Sequence, residues 1–146
     1  MVRGRIVCIG NRHAAGDDLG PRTFDWLSAR PLPAGIELVD GGLGGLDLLA
    51  CFEGVGEVVV IDALEGFAPP GRAVVLDGAE VAACHDGQGW GHGAGLPYLL
   101  ALLPRVCDGP LPRVRVVGME PPAGDEAVAR LGAASLALAA GEEVRP

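Results

Sequence analysis

Apolar residues fall into two periods along this chain. Short unbroken runs mark strands: one over 4–9, then IELVD at 36–40, EVVVIDA at 57–63, RAVVLDG at 72–78 and RVRVVGM at 113–119. The run at 57–63 has the near-continuous hydrophobicity of a strand covered on both faces. Between these runs the spacing changes to that of helices. Residues 18–29, LDLLACF at 46–52, LPYLLALL at 96–103 and DEAVARLGAASLALAA at 125–140 are the expected helices. Asp17 or Asp18 is the expected N-cap of the first, with Pro21 tolerated in its opening turn. Gly54 is expected to end the second and Pro104 to stop the third. Residues 84–95 read as a glycine-rich loop.

Strands alternating with helices predict an α/β domain with a mainly parallel sheet. One link departs from that rule. Only LEGFAPPG separates the third and fourth strands, and a parallel crossover needs about a dozen residues. The fourth strand is therefore expected to run antiparallel. Residues 1–146 read as a single domain, with no internal repeat or linker.

Charge and composition narrow the function. The net charge of −8 and sequence pI near 4.7 leave no basic surface for nucleic acid. No apolar stretch approaches 18 residues, so no membrane span is expected, and the N-terminal apolar run is too short for a signal peptide. The chain has no lysine, which removes Schiff-base chemistry and the P-loop. Its two serines, Ser28 and Ser135, lie outside any nucleophile elbow. Cys8, Cys51, Cys84 and Cys107 form no C-x-x-C pair and read as buried, reduced thiols of a cytoplasmic protein. A cysteine nucleophile in Cys84-His85-Asp86 is the less favoured alternative, since adjacent residues rarely have the required geometry.

Three aspartates fall at matching places: Asp17 after strand one, Asp40 ending strand two and Asp62 ending strand three. Ligands of open α/β sheets bind beyond the carboxyl ends of the strands, where strand order reverses. With strand one central, Asp17 and Asp62 face one crevice. A pyrophosphate would meet like charge there, and no G-x-G-x-x-G is present. Facing carboxylates call for protonation or a bridging cation. With an imidazole from His13, His85 or His92, they suit zinc, nickel or manganese. Taken singly, each aspartate is as readily a helix cap or turn residue, and each histidine a solvated loop residue.

The motifs around these residues resemble those of the hydrogenase maturation proteases, the endopeptidases that remove a C-terminal extension from nickel–iron hydrogenase large subunits. GNRHAAGDDLGP keeps the family's Gly10, Asn11, Gly20 and Pro21, and its register puts Asp17 at the acidic ligand position. DGG at Asp40–Gly42, IDA ending in Ala63, H-x-x-G-L at His92–Leu96 and GMEP at Gly118–Pro121 follow in family order. Gly16 stands where the family has another acidic residue, Asp18 where it has glycine, and His13 where it has an apolar residue. A G-L-S segment usual after the fifth strand is missing.

The resemblance implies a three-layer α/β/α fold of the phosphorylase/hydrolase-like kind, with a five-stranded mixed sheet and strand four reversed. It implies Asp17, Asp62 and His92 as catalytic metal ligands, with Asn11 and Asp40 in support and His85 excluded. The metal would be nickel supplied by the precursor, with zinc or another divalent ion as a surrogate. The partner would be the large-subunit precursor. The alternative is a chaperone that checks nickel without cleaving.

Overall fold

The computed structural model describes residues 1–84 and 95–144. The strands are β1 (Gly4–Ile9), β2 (Ile36–Gly42), β3 (Glu57–Ala63), β4 (Val74–Asp77) and β5 (Arg113–Met119). The helices are α1 (Leu19–Ser28), α2 (Gly78–Ala82), α3 (Gly95–Val106) and α4 (Asp125–Ala139), with a 3-10 helix at Leu46–Phe52.

One sheet contains all five strands in the order β2-β1-β3-β5-β4. The first four in that order pair in parallel, Ile6 lying beside Leu38 on one side and Val59 on the other. β4 alone is antiparallel, pairing Val74 with Gly118 and Asp77 with Arg115. The short link between β3 and β4 contains no helix, as its length requires.

Alternation along the central strands separates two cores. Val7, Ile9, Val58, Val60 and Val116 face the layer formed by the 3-10 helix, α2 and α3, where Phe52, Val81, Leu99 and Leu103 are buried. Ile6, Cys8, Val59, Ile61 and Val117 face α1 and α4, packing on Leu27, Leu131 and Leu138. Helices therefore cover both faces of the sheet. Among the described residues no helix is long and apolar enough to cross a membrane.

Four local expectations need correction. The helix at 46–52 is 3-10, its seven residues lying between Gly45 and Gly54, both at positive φ. The segment 72–78 is strand only over Val74–Asp77, because the chain turns at Gly78 into α2, a helix the hydrophobic pattern did not reveal. Glu80 Oε1 accepts the Asp77 N–H at 3.2 Å, half of a capping box. α3 does not stop before Pro104 but continues to Val106. Pro104 removes one donor near the helix end, while Cys107 N–H still reaches the Leu103 carbonyl at 3.1 Å. Finally, α1 begins at Leu19 with Asp18 at its N-cap position, yet no aspartate side chain caps it. The Asp17 carboxylate is directed elsewhere.

Candidate active site

The loop between β1 and α1 folds back on itself. Asn11 N–H donates to both the Asp17 carbonyl, at 2.9 Å, and Asp17 Oδ2, at 3.0 Å. Asn11 Oδ1 accepts His13 N–H at 2.9 Å, an Asx turn that bends the loop at its start. Asp17 N–H closes the far side on the Ala14 carbonyl at 3.0 Å. Two glycines permit this. Gly10 has φ +146, and a Cβ there would overlap the Asp17 carbonyl. A Cβ at Gly20 would overlap the Ile9 carbonyl, so α1 rests directly on the end of β1. The family-like motif is thus a steric requirement for placing Asp17.

Asp62 is the last inward residue of β3 and only 1% exposed. Its Oδ1 accepts Ala63 N–H at 2.8 Å, which fixes the carboxylate at the strand end. Leu64 N–H then reaches the Met119 carbonyl at 3.1 Å, tying the outgoing loop to the end of β5. Asp40 is exposed and serves its own turn: Oδ1 accepts Gly42 N–H at 3.1 Å, while the Gly42 carbonyl accepts Gly10 N–H at 2.8 Å. Asp40 and Asn11 therefore brace the first loop from opposite sides.

A cavity of about 210 Å³ opens between the loops after β1 and β3. Gly16 and Asp17 line one wall, Ala63, Leu64 and Glu65 the other, and Pro121 closes it from the end of β5. The sheet order places this cavity at the switch point, since β1 lies between β2 and β3. Glu65 and Pro121 were not singled out as site residues. Pro121 lies in the GMEP motif, but only the β3–β5 pairing shows that its loop reaches the Asp17 crevice. Neither Asp40 nor Asp62 itself lines the cavity; the chain enters its wall at Ala63, directly after Asp62.

Among the described residues no three His, Cys, Asp or Glu side chains form a metal-sized group. His92 and His85 lie outside the described residues. All four cysteines are free. Cys8 is buried and its thiol is pushed up to about 12, chiefly by burial, then by the charges of Asp40 and Asp25. The other three are partly buried, not fully as expected, and Cys84 Sγ donates to the Glu80 carbonyl at 3.5 Å.

An open α/β sheet with acidic loops meeting at its switch point is the framework of a hydrolytic or metal-engaging site. A family model described as "HycI: Hydrogenase maturation protease" matches residues 22–134. The chain belongs to the hydrogenase maturation protease family. Its fold is similar to that of the hydrogenase maturating endopeptidase HybD from E. coli, with TM-score 0.73 and 25% identity over 92% of this chain and 88% of that one. A hydrogenase 2 maturation peptidase from a Thaumarchaeota archaeon matches with TM-score 0.62 and 26% identity over 97% and 99%. HycI from Thermococcus kodakarensis shares the fold at TM-score 0.64 with 14% identity over 95% and 91%. No curated protein matches the chain. The protein is a hydrogenase maturation endopeptidase, which cleaves the C-terminus of the nickel–iron hydrogenase large subunit.

Proposed function

We propose that this cytoplasmic endopeptidase recognises the nickel already inserted in its large-subunit precursor, and that Asp17, Asp62 and His92 engage that metal beside the scissile bond. The observation carrying this reading is the shared crevice. The Asp17 loop and the residues directly after Asp62 line one cavity, and they come from strands that pair side by side. The donor chemistry fits: two carboxylates and an imidazole suit a borderline divalent ion, for which zinc would be a surrogate. Asp62 is buried and held by Ala63 N–H, and Asp17 is held by Asn11 N–H, so each carboxylate is oriented before substrate arrives.

Nickel brought by the precursor would supply Lewis-acid chemistry at the scissile bond, polarising its carbonyl or activating a water. The chain's own contribution is positional. Asp17 and Asp62 offer negative charge to the incoming metal, and the Asn11 and Asp40 turns keep the first loop from relaxing away. Pro121 and Leu64 supply apolar surface to the crevice wall.

The test is incubation of nickel-loaded precursor with each variant, followed by intact-mass measurement. Asp17→Asn, Asp62→Asn and His92→Ala are expected to abolish processing without unfolding the protein. His85→Ala is expected to retain most of it. Full processing by folded Asp62→Asn protein overturns the assignment. Release of no fragment by the wild-type chain, with the precursor still bound, points instead to a nickel-checking chaperone.

A further inference from the structure

The crevice continues past Asp17. A second cavity of about 210 Å³ shares Ala15, Gly16 and Pro121 with the first and runs on toward Met119 and Pro122. Gly16 is the floor where the two meet. A turn fixes its place: Asp17 N–H donates to the Ala14 carbonyl at 3.0 Å, with Ala15 and Gly16 between them. Gly16 has φ +82, the sign that the second central residue of a type II turn requires, and glycine or asparagine meets that demand. The turn ends in Asp17, so the residue that lets the loop place this carboxylate also leaves the floor bare.

The opposite wall is equally fixed. Gly71 N–H reaches the Glu120 carbonyl at 2.9 Å and Arg22 Nη1 the Ala123 carbonyl at 2.7 Å, one anchor on each side of Pro121. A Cβ at Gly16 would meet Pro121 Cγ at 3.8 Å, ordinary van der Waals contact. The direct gap between the walls is therefore about one methyl group wide. Any longer side chain at this position would rise out of the gap into the path between the cavities. Gly16 stands where the family motif has an acidic residue, so the open crossing is this chain's own. An endopeptidase has use for such a path, because its substrate continues on both sides of the bond that is cut.

We propose that the two cavities form one groove for the precursor's main chain beside the scissile bond, and that Gly16 determines what the groove admits: the precursor crosses over its bare Cα, against Pro121. This rests on the processing reaction proposed above and adds the path of the substrate to it. Gly16 takes no part in the chemistry. With both walls pinned, the groove does not widen for a bulkier occupant, and size at the crossing is selected by contact.

The experiment measures binding and kcat/KM with nickel-loaded precursor for wild type, Gly16→Ala, Gly16→Asn and Gly16→Asn combined with Pro121→Ala, folding being checked by circular dichroism. Asparagine keeps the turn and fills the crossing; alanine strains the turn and adds only the methyl group that fits. Gly16→Asn is therefore expected to lower kcat/KM about 10-fold to 100-fold, mainly through KM, and further than Gly16→Ala does. Adding Pro121→Ala is expected to restore part of the loss by opening the facing wall. Unchanged kcat/KM in folded Gly16→Asn protein overturns the proposal. So does an equal or larger loss in Gly16→Ala, which assigns the effect to backbone strain, or the absence of any recovery with Pro121→Ala. Should Gly16→Asn not fold, Pro121→Leu narrows the same crossing from the other wall, and an unchanged KM there overturns the proposal equally. The processing reading fails separately, when wild-type protein binds precursor without cutting it; loss or retention of precursor binding in Gly16→Asn then still decides the crossing.

Discussion

The two ends of the sheet hold their charges differently. At the amino end, arginines meet carboxylates directly: Arg5 with Glu37 at 3.1 Å, Arg113 with Glu143 at 2.8 Å and Arg115 with Glu57 at 2.7 Å. At the carboxyl end two pairs, Arg12 with Asp25 and Arg22 with Asp125, join the first loop to α1 and α1 to α4, while the strand-end aspartates are held by backbone N–H groups: Asp17 by Asn11, Asp40 by Gly42 and Asp62 by Ala63. An arginine partner cancels a charge and joins elements together. A backbone N–H fixes the direction of a carboxylate. The amino-end pairs join elements, whereas the strand-end aspartates are oriented by the turns around them.

That contrast is tested most severely by removing one group from each end. Asp62→Asn is expected to lower processing by at least about 100-fold, with thermal unfolding near that of wild type. Arg115→Ala is expected to do the reverse. Arg115 is 2% exposed, and its Nη2 also donates to the Leu138 carbonyl at 2.8 Å, so its loss strands Glu57 and the end of α4. Breaking such a pair costs about 3–5 kcal/mol in denaturant titration, while the folded fraction should still process precursor. Equal effects of both variants on activity and stability would erase the distinction.

A smaller effect sharpens the amino end. Arg115 Nε and Nη1 are buried without a hydrogen-bond partner among the described residues. The pair is therefore not an optimal use of that space, and Glu57→Gln with Arg115→Met is expected to recover most of the stability lost in Arg115→Ala, within about 1.5 kcal/mol of wild type. Recovery is read from the same denaturant titrations.

Between the two ends stands Cys8, buried beneath the first loop. With its thiol pushed up to about 12, it should resist alkylation at pH 8 in native protein and react only on unfolding. Cys8→Ala should process precursor wherever it folds. Rapid native labelling of Cys8, seen by peptide mass mapping, would contradict that placement.

The smallest effects belong to exposed pairs. Hydrogen bonding to Arg12 holds Asp25 below its ordinary range, and hydrogen bonding to Arg113 does the same for Glu143. A depressed carboxylate adds stability that is full above its unfolded value and disappears as pH falls through the folded one. Melts of Asp25→Asn and Glu143→Gln should therefore differ slightly from wild type at pH 7 and converge with it in acid.

The sequence revealed β1 and β3 because both are covered on both faces, which forces near-continuous apolar runs. It revealed the reversal of β4 because eight residues cannot carry a helix back across the sheet. It concealed α2, whose five residues bury only Val81 and so leave no period to detect. The Asp77-x-x-Glu80 spacing was the available sign. Pro104 misled because its cost depends on what lies after it, and here only the last turn follows. At the site, Asp17 and Asp62 stood out as strand-end acids. Glu65 and Pro121 did not, because their place in the crevice comes from which loops the sheet order brings together.

That order also governs how firmly the site is held over time. The two strands that carry its aspartate loops, β1 and β3, are interior, each paired on both sides. Amide protons of Val7 and Val60 should exchange only through global unfolding, whereas the four-residue edge β4 opens locally. Fraying of the sheet's rim can thus proceed and reverse without separating the loops after β1 and β3, which stay side by side as long as the sheet's centre is folded.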